Sequence, residues 1–312
     1  MTRAFVFPGQ GAQTIGMGKD LAEAYPAARL VFEEVDEALG DSLSTLIWEG
    51  EQDELTLTKN AQPALMAMSM AVMRALEAEG VTVNAASMVA GHSLGEYSAL
   101  AAAGAFSVSD AARLLRTRGQ AMQKAVPVGV GAMAALLGLD FSAARDVAEA
   151  AAQGQVCQAA NDNDPGQVVV SGHAQAVERA VGLAKEKGAK RAMLLPVSAP
   201  FHCELMAPAA EAMQGALAEV TISAPAVPVV SNVLAEGVSD PDRIRELLVQ
   251  QITGSVRWRE SVSYMAAQGV TEIWEIGAGK ALSGMVRRID REILTRAVST
   301  PQDVADAAAA LA

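Results

Sequence analysis

Short runs of apolar and β-branched residues recur at 4–7, 87–90, 227–230 and 271–276, each bounded by Gly, Pro or Asn, with longer stretches of helical periodicity between them. Runs without polar alternation suit strands covered on both faces. The pattern therefore predicts a mainly parallel sheet flanked by helices, with binding sites outside the carboxyl ends of its strands. The middle of the chain changes rhythm: 133–139 reads as a strand, 141–152 as a helix, 155–159 and 167–171 as strands, 174–187 as a helix and 192–197 as a strand. That β-α-β-β-α-β order is the ferredoxin-like arrangement. The fold class expected is α/β, with a large discontinuous, hydrolase-like domain over 1–126 and 199–312 and a small ferredoxin-like domain inserted over 127–198. Pro127-Val128-Gly129-Val130-Gly131 and the stretch from Pro196 to Pro200 carry the Gly and Pro expected of hinges.

Composition narrows this picture. Hydrophobic residues make up 51% of 312 and charged ones 19%, which excludes a disordered chain, and only 4% are aromatic, which suits closely packed alanine-rich helices. A net charge of −12 argues against a nonspecific nucleic-acid binder, which needs a broad basic surface to neutralise phosphates. An anionic partner would have to meet a local basic patch, such as Lys185, Lys187, Lys190 and Arg191, or Arg287 and Arg288; each group reads equally well as a solvated face. No apolar run reaches the roughly 18 residues that span a bilayer, and the stretch before Pro8 is too short for a signal peptide. Cys157 and Cys203 form no C-x-x-C pair, so neither a disulfide framework nor a zinc site is expected. A cytoplasmic protein without membrane attachment fits these features.

Gly91-His92-Ser93-Leu94-Gly95 follows the run at 87–90 and precedes a helical stretch, the setting of a G-x-S-x-G nucleophile elbow. Such a turn pushes the serine hydroxyl outward, and flanking glycines remove side chains that would collide across it. The Leu94 amide then lies at a helix N-terminus, where donors are free. The bland alternative is a tight turn and nothing more. A nucleophilic serine needs a base, and the chain has three histidines. His92 is the serine's own neighbour and cannot readily fold back onto its hydroxyl, and His173 reads as a loop residue at a strand end. His202, on the Pro-bounded loop Ala199-Pro200-Phe201-His202-Cys203, is left as the base or as a structural histidine.

Arg118 interrupts an apolar stripe. On a helix over 110–124, with Ser109 as its expected N-cap, it shares a face with Ala111, Leu114, Leu115, Ala121 and Met122, while Arg113 and Arg116 fall on solvated faces. A buried guanidinium needs a partner whose geometry matches its fork. That partner is either an internal Asp or Glu, or a carboxylate on the substrate.

Phe7-Pro8-Gly9-Gln10-Gly11, Gly91-His92-Ser93-Leu94-Gly95-Glu96, the helix with Arg118 and Phe201-His202 together resemble the malonyl-CoA:acyl carrier protein transacylases of fatty acid synthesis. The resemblance extends to Asn161, to 165–172 and to Glu275-Ile276-Gly277-Ala278-Gly279-Lys280. It implies a Ser93–His202 dyad whose imidazole is oriented by a backbone carbonyl, that of Gln251 by motif alignment, with Gln250 as the adjacent register. It further implies that Arg118 binds the malonyl carboxylate and that the amides of Gln10 and Leu94 form the oxyanion hole. It also implies that Phe201 lines the substrate pocket, a residue common in relatives that select malonyl over methylmalonyl. Malonyl-CoA and acyl carrier protein are the implied partners of a monomeric enzyme with no metal and no cofactor. Ala278 stands where the family usually has proline, and Ser255 where it often does, both backbone matters.

Two rival readings remain. A simple serine hydrolase would take its acid from Asp162 or Asp164, although it has no need of Arg118, and a noncatalytic acyl-CoA or carrier-protein binding module would not need serine, histidine and arginine together. Phosphate chemistry at Gly277-Ala278-Gly279-Lys280 lacks the P-loop spacing.

Overall fold

The computed structural model describes residues 2–127 and 129–311. Among these, Arg3–Phe7 (β1), Met88–Gly91 (β2), Val229–Val230 (β7), Gly237–Val238 (β8), Glu272–Ile276 (β9) and Leu294–Val298 (β10) form one sheet, in the order β10-β9-β1-β2-β7-β8. All neighbours in it are parallel except the short edge strand β8. Successive side chains of a strand point to opposite faces. Phe5 and Phe7 of β1 therefore enter one core with Val89 and Trp274, while Ala4 and Val6 enter a second with Ala90, Ile273 and Trp258. Burial on both faces is why β1 beyond Arg3, and β2, read as unbroken apolar runs.

The other strands, Gly131–Leu137 (β3), Cys157–Asp164 (β4), Gln167–His173 (β5) and Arg191–Leu194 (β6), form an antiparallel sheet ordered β4-β5-β3-β6. Helices Phe141–Ala152 and Ala174–Glu186 cover one face, where Leu136, Val168 and Val170 meet Val147, Val177 and Ala180. The opposite face carries Met133 and Val169, which pack with Leu195, Val197 and Phe201. The fold is thus mixed α/β, a mainly parallel sheet flanked by helices plus a small ferredoxin-like unit. That unit's strands and helices lie within 131–194, inside the interval 127–198 expected for an inserted domain. Of the two expected hinges, Val128 in the first lies outside the described residues.

Several local expectations shift. The run at 227–230 pairs as a strand only at Val229–Val230, because Pro228 lacks an N–H and contributes just its carbonyl, which accepts from Val89 N–H at 3.0 Å. The strand expected at 155–159 starts at Cys157 and runs on to Asp164 through two register shifts. Ser107, not Ser109, caps helix Val108–Ala125 by accepting from the Asp110 amide; the Ser109 hydroxyl donates to Glu34. Arg116 is not simply solvated, for it pairs with Asp41 at 2.7 Å. Among the described residues no helix is long and apolar enough to cross a membrane, and both cysteines are free and buried.

Candidate active site

The carboxyl ends of β1 and β2 lie side by side at the centre of the parallel sheet, and the chain leaves β2 directly into helix Gly95–Ala102. The turn is closed by backbone contact. A Cβ on Gly91 would stand 1.9 Å from the Gly95 carbonyl carbon, and one on Gly95 would stand 2.2 Å from the Phe7 oxygen. Both glycines are thus required by close approach. Ser93 between them takes φ +53°, in the left-handed region that β-carbons disfavour, and its amide donates to Asn232 Oδ1 at 2.8 Å. Asn232 follows β7 at its carboxyl end, and its Nδ2 donates to the Gly91 carbonyl at 2.6 Å.

His202 reaches the serine from the loop after Pro200. Its own φ is +58°, so both of the paired residues hold strained backbone. Ser93 Oγ lies 2.8 Å from His202 Nε2, and His202 Nδ1 lies 2.9 Å from the carbonyl oxygen of Gln251, not Gln250. A carbonyl can only accept, so Nδ1 carries the proton and Nε2 of the neutral ring is left to accept from the serine hydroxyl. Burial first, and then the Arg118 charge, hold this imidazole down to about 3, leaving it neutral at ordinary pH.

Arg118 is only 2% exposed. Its Nη1 donates to Gln62 Oε1 at 2.7 Å, and one Nη2 donates both to Gln251 Oε1 at 2.8 Å and to Ser93 Oγ at 3.1 Å. Its guanidinium stands over the Tyr97 ring, 5.7 Å from the centroid. Every hydrogen-bond partner among the described residues is neutral, so of the two alternatives the internal ion pair is absent. The Gln62 amide donates in turn to Thr58 Oγ1, which donates to Gln10 Oε1, each at 2.8 Å. Within the described residues no hydrogen bond takes up the amide N–H of Gln10 or Leu94. Phe201 packs at the edge of both the large core and the open face of the small sheet.

The other candidates go elsewhere. His92 is buried, with Nε2 2.8 Å from Asn163 Oδ1 on β4 and its ring against Trp258, and burial holds its basicity down. His173 accepts from the Val156 amide at 2.9 Å. Asp162 and Asp164 face Arg259 and Arg288, not His202, which removes the acid that the hydrolase reading needs. Among the described residues no three of His, Cys, Asp and Glu cluster as metal ligands. Sequence reasoning passed over Asn232, Gln62, Thr58 and Glu96. Two of them offered a signal: Glu96 closes the motif Gly91-His92-Ser93-Leu94-Gly95-Glu96 without having been given a role, and Asn232 is a polar residue just beyond an apolar strand run, where sites of such sheets form.

The comparisons agree with this geometry. Residues 4–300 match the acyl transferase domain family. The chain is 51% identical over 302 residues to the malonyl CoA-acyl carrier protein transacylase of Bacillus subtilis, covering 96% of this chain and 94% of that one. The acyl-carrier-protein S-malonyltransferase of Bartonella henselae superposes with a TM-score of 0.98 at 57% identity, covering 100% of this chain and 99% of that one. A malonyl-transacylase solved in complex with its type II PKS acyl-carrier protein superposes at 0.96 with 42% identity, covering 99% and 100%. This chain is an acyltransferase and belongs to the malonyl CoA-acyl carrier protein transacylase family.

Proposed function

We propose that the enzyme moves a malonyl group from malonyl-CoA to the phosphopantetheine thiol of an acyl carrier protein through a malonyl ester of Ser93, supplying extender units for fatty acid synthesis. The convergence on one atom carries this reading: Ser93 Oγ lies 2.8 Å from His202 Nε2 and 3.1 Å from Arg118 Nη2. In a malonyl thioester one methylene separates the reacting carbonyl from the carboxylate. A cation meant to hold that carboxylate must therefore stand beside the nucleophile, as Arg118 does. An acetyl group gains nothing from it.

His202 takes the Ser93 proton as the oxygen attacks the thioester carbonyl, and the oxyanion rests on the amides of Gln10 and Leu94. The tetrahedral adduct collapses, and His202 returns the proton to the departing CoA thiolate. The carrier's thiol then enters, gives its proton to His202 and attacks the seryl ester, and the proton returns to Ser93 Oγ as malonyl leaves on the carrier. Gln251 holds the ring through its carbonyl throughout, and Phe201 bounds the pocket. The chemistry is assigned to protein groups alone, with CoA as substrate and no metal or cofactor. We further propose a monomer acting in the cytoplasm, free of membrane and nucleic acid, with 127–198 as an inserted domain.

Intact-mass measurement after brief exposure to malonyl-CoA tests the reading. The parent should gain one malonyl increment and Ser93→Ala none; an undiminished increment on the variant overturns it. Arg118→Ala should lose malonyl transfer far more than acetyl transfer, and equal losses would remove Arg118 from carboxylate recognition.

A further inference from the structure

Glu96 is a buried carboxylate for which the proposed chemistry has no use. It is 3% exposed, in the first turn of the helix that begins at the elbow. Its Oε2 accepts from the Gln251 side-chain amide at 2.8 Å and from the Asn232 backbone amide at 3.1 Å. Those two residues surround the nucleophile. Gln251 Nε2 also donates to the Ser93 carbonyl at 3.0 Å, its Oε1 accepts from Arg118, and its backbone carbonyl accepts from His202. Asn232 accepts from the Ser93 amide and donates to the Gly91 carbonyl.

Resting on the function proposed above, we propose that Glu96 is the positioning residue of the site: by fixing Gln251 and Asn232 together, it holds the imidazole, the guanidinium and the elbow in one register. A primary amide is symmetric enough in shape to rotate by half a turn. With Glu96 demanding a donor, Gln251 must present its N–H to the acid and its oxygen to Arg118. Without Glu96 the Ser93 carbonyl still calls for a donor on that side, but the amide is freer to turn its N–H groups toward the guanidinium, where donor would face donor. The carboxylate thus acts on catalysis through Gln251 without touching substrate.

Its charge adds a second effect. Burial raises Glu96 to about 7, against the opposing pull of Gln251, Asn232 and the Arg118 charge. The charged and titratable groups facing it are Arg118 on helix Val108–Ala125 and Tyr97 beside it, whose phenol burial pushes up, so that it stays neutral. His202 stays neutral. A malonyl carboxylate arriving at Arg118 is repelled by an ionised Glu96 and not by a protonated one. The malonyl-CoA KM should therefore rise as pH rises through about 7.

The experiment compares the parent with Glu96→Gln and Glu96→Ala, measuring kcat and KM for malonyl-CoA and for acetyl-CoA between about pH 5.5 and 8.5, a range that brackets an acid raised by burial. A glutamine oxygen accepts the same two hydrogen bonds, so Glu96→Gln should keep kcat within about threefold while its malonyl-CoA KM becomes independent of pH. Glu96→Ala should lose about 100-fold in kcat with both donors, the scale of a misplaced reacting group, while keeping a cooperative melting transition. The acetyl-CoA KM should not follow pH in any of the three. A Glu96→Ala enzyme with the parent's kcat overturns the positioning role, and a pH-dependent KM surviving in Glu96→Gln overturns the charge effect. Failure of the parent itself to take up malonyl would instead sink the function proposed above.

Discussion

At the residue scale, two acid–base groups with opposite shifts make separable predictions. His202 is lowered from 6.5 to about 3, so between those values the folded protein refuses a proton that the unfolded chain accepts, and stability is lost as pH falls toward 3. Glu96 is raised from 4.5 to about 7, so the folded protein keeps a proton that the unfolded chain releases, and stability is lost as pH rises through about 7. Between 4.5 and 6.5 the two slopes oppose each other. Glu96→Gln removes one of them, so its melting temperature should climb more steeply with pH across that window than the parent's; parallel profiles would contradict a raised Glu96. For catalysis, kcat/KM reports the free enzyme. Its acid limb should therefore fall well below the 6.5 of an ordinary histidine, and a limb found at 6.5 would show that His202 is not held down by burial and Arg118. The elbow glycines are equally testable. Gly95→Ala places a Cβ 2.2 Å from the Phe7 oxygen, backbone against backbone with nothing flexible to yield, and should cost more than about 3 kcal/mol in urea denaturation.

At the element scale, what the sequence made legible followed burial. The β1, β2 and β9 runs are covered on both faces, and their lack of alternation announced a parallel sheet. Strand β10 escaped notice because it is the sheet edge: Leu294 is 57% exposed, and Thr295 and Arg296 interrupt the pattern. The far half of β4 escaped for the opposite reason. Asn161-Asp162-Asn163-Asp164 is polar enough to read as a loop, yet it is buried because long-range partners satisfy it, and no local pattern encodes a partner about 100 residues away. The same holds in the site. Ser93 and Arg118 stood out through a local motif and a broken stripe, whereas Gln62 and Asn232 act through contacts that only the fold creates. The β4 seam joins the small sheet to helices Trp258–Ala267 and Ala281–Ile289, which flank the large sheet, through Asp162–Arg259 at 2.8 Å and Asp164–Arg288 at 2.7 Å. The Asp162 side chain is 1% exposed and its arginine 35%, so Arg259→Ala strands a buried acid. That substitution should cost about 2–3 kcal/mol, discounted for the partly solvated arginine, and Arg259→Leu with Asp162→Asn should recover most of it. Loss of the exposed Arg29–Glu33 pair should cost under about 0.5 kcal/mol, and equal costs at both places would show that burial does not set the scale.

At the scale of the whole molecule, a chain of net charge −12 repels any acidic partner unless its surface is uneven. The structure separates the two basic groups that the sequence left equivalent. Arg288 is paired with Asp164, which among the described residues leaves Arg287 as the one uncompensated charge of that group, while Lys185, Lys187, Lys190 and Arg191 are all exposed around the end of helix Ala174–Glu186 and the start of β6. Among the described ion pairs none involves these four. Their charge is thus available to an acidic carrier protein. Steering of this kind acts on encounter and is screened over a Debye length of about 8 Å at physiological salt. Formation of the malonyl-enzyme should therefore be insensitive to Lys190→Glu with Arg191→Glu, because that step sees only CoA, while transfer to the carrier should slow by about tenfold at low salt and converge on the parent at high salt. Rapid-quench measurement of the two half-reactions separates them. Equal slowing of both would place the lysines in folding or in CoA binding, and no slowing of either would make the patch a solvated face after all.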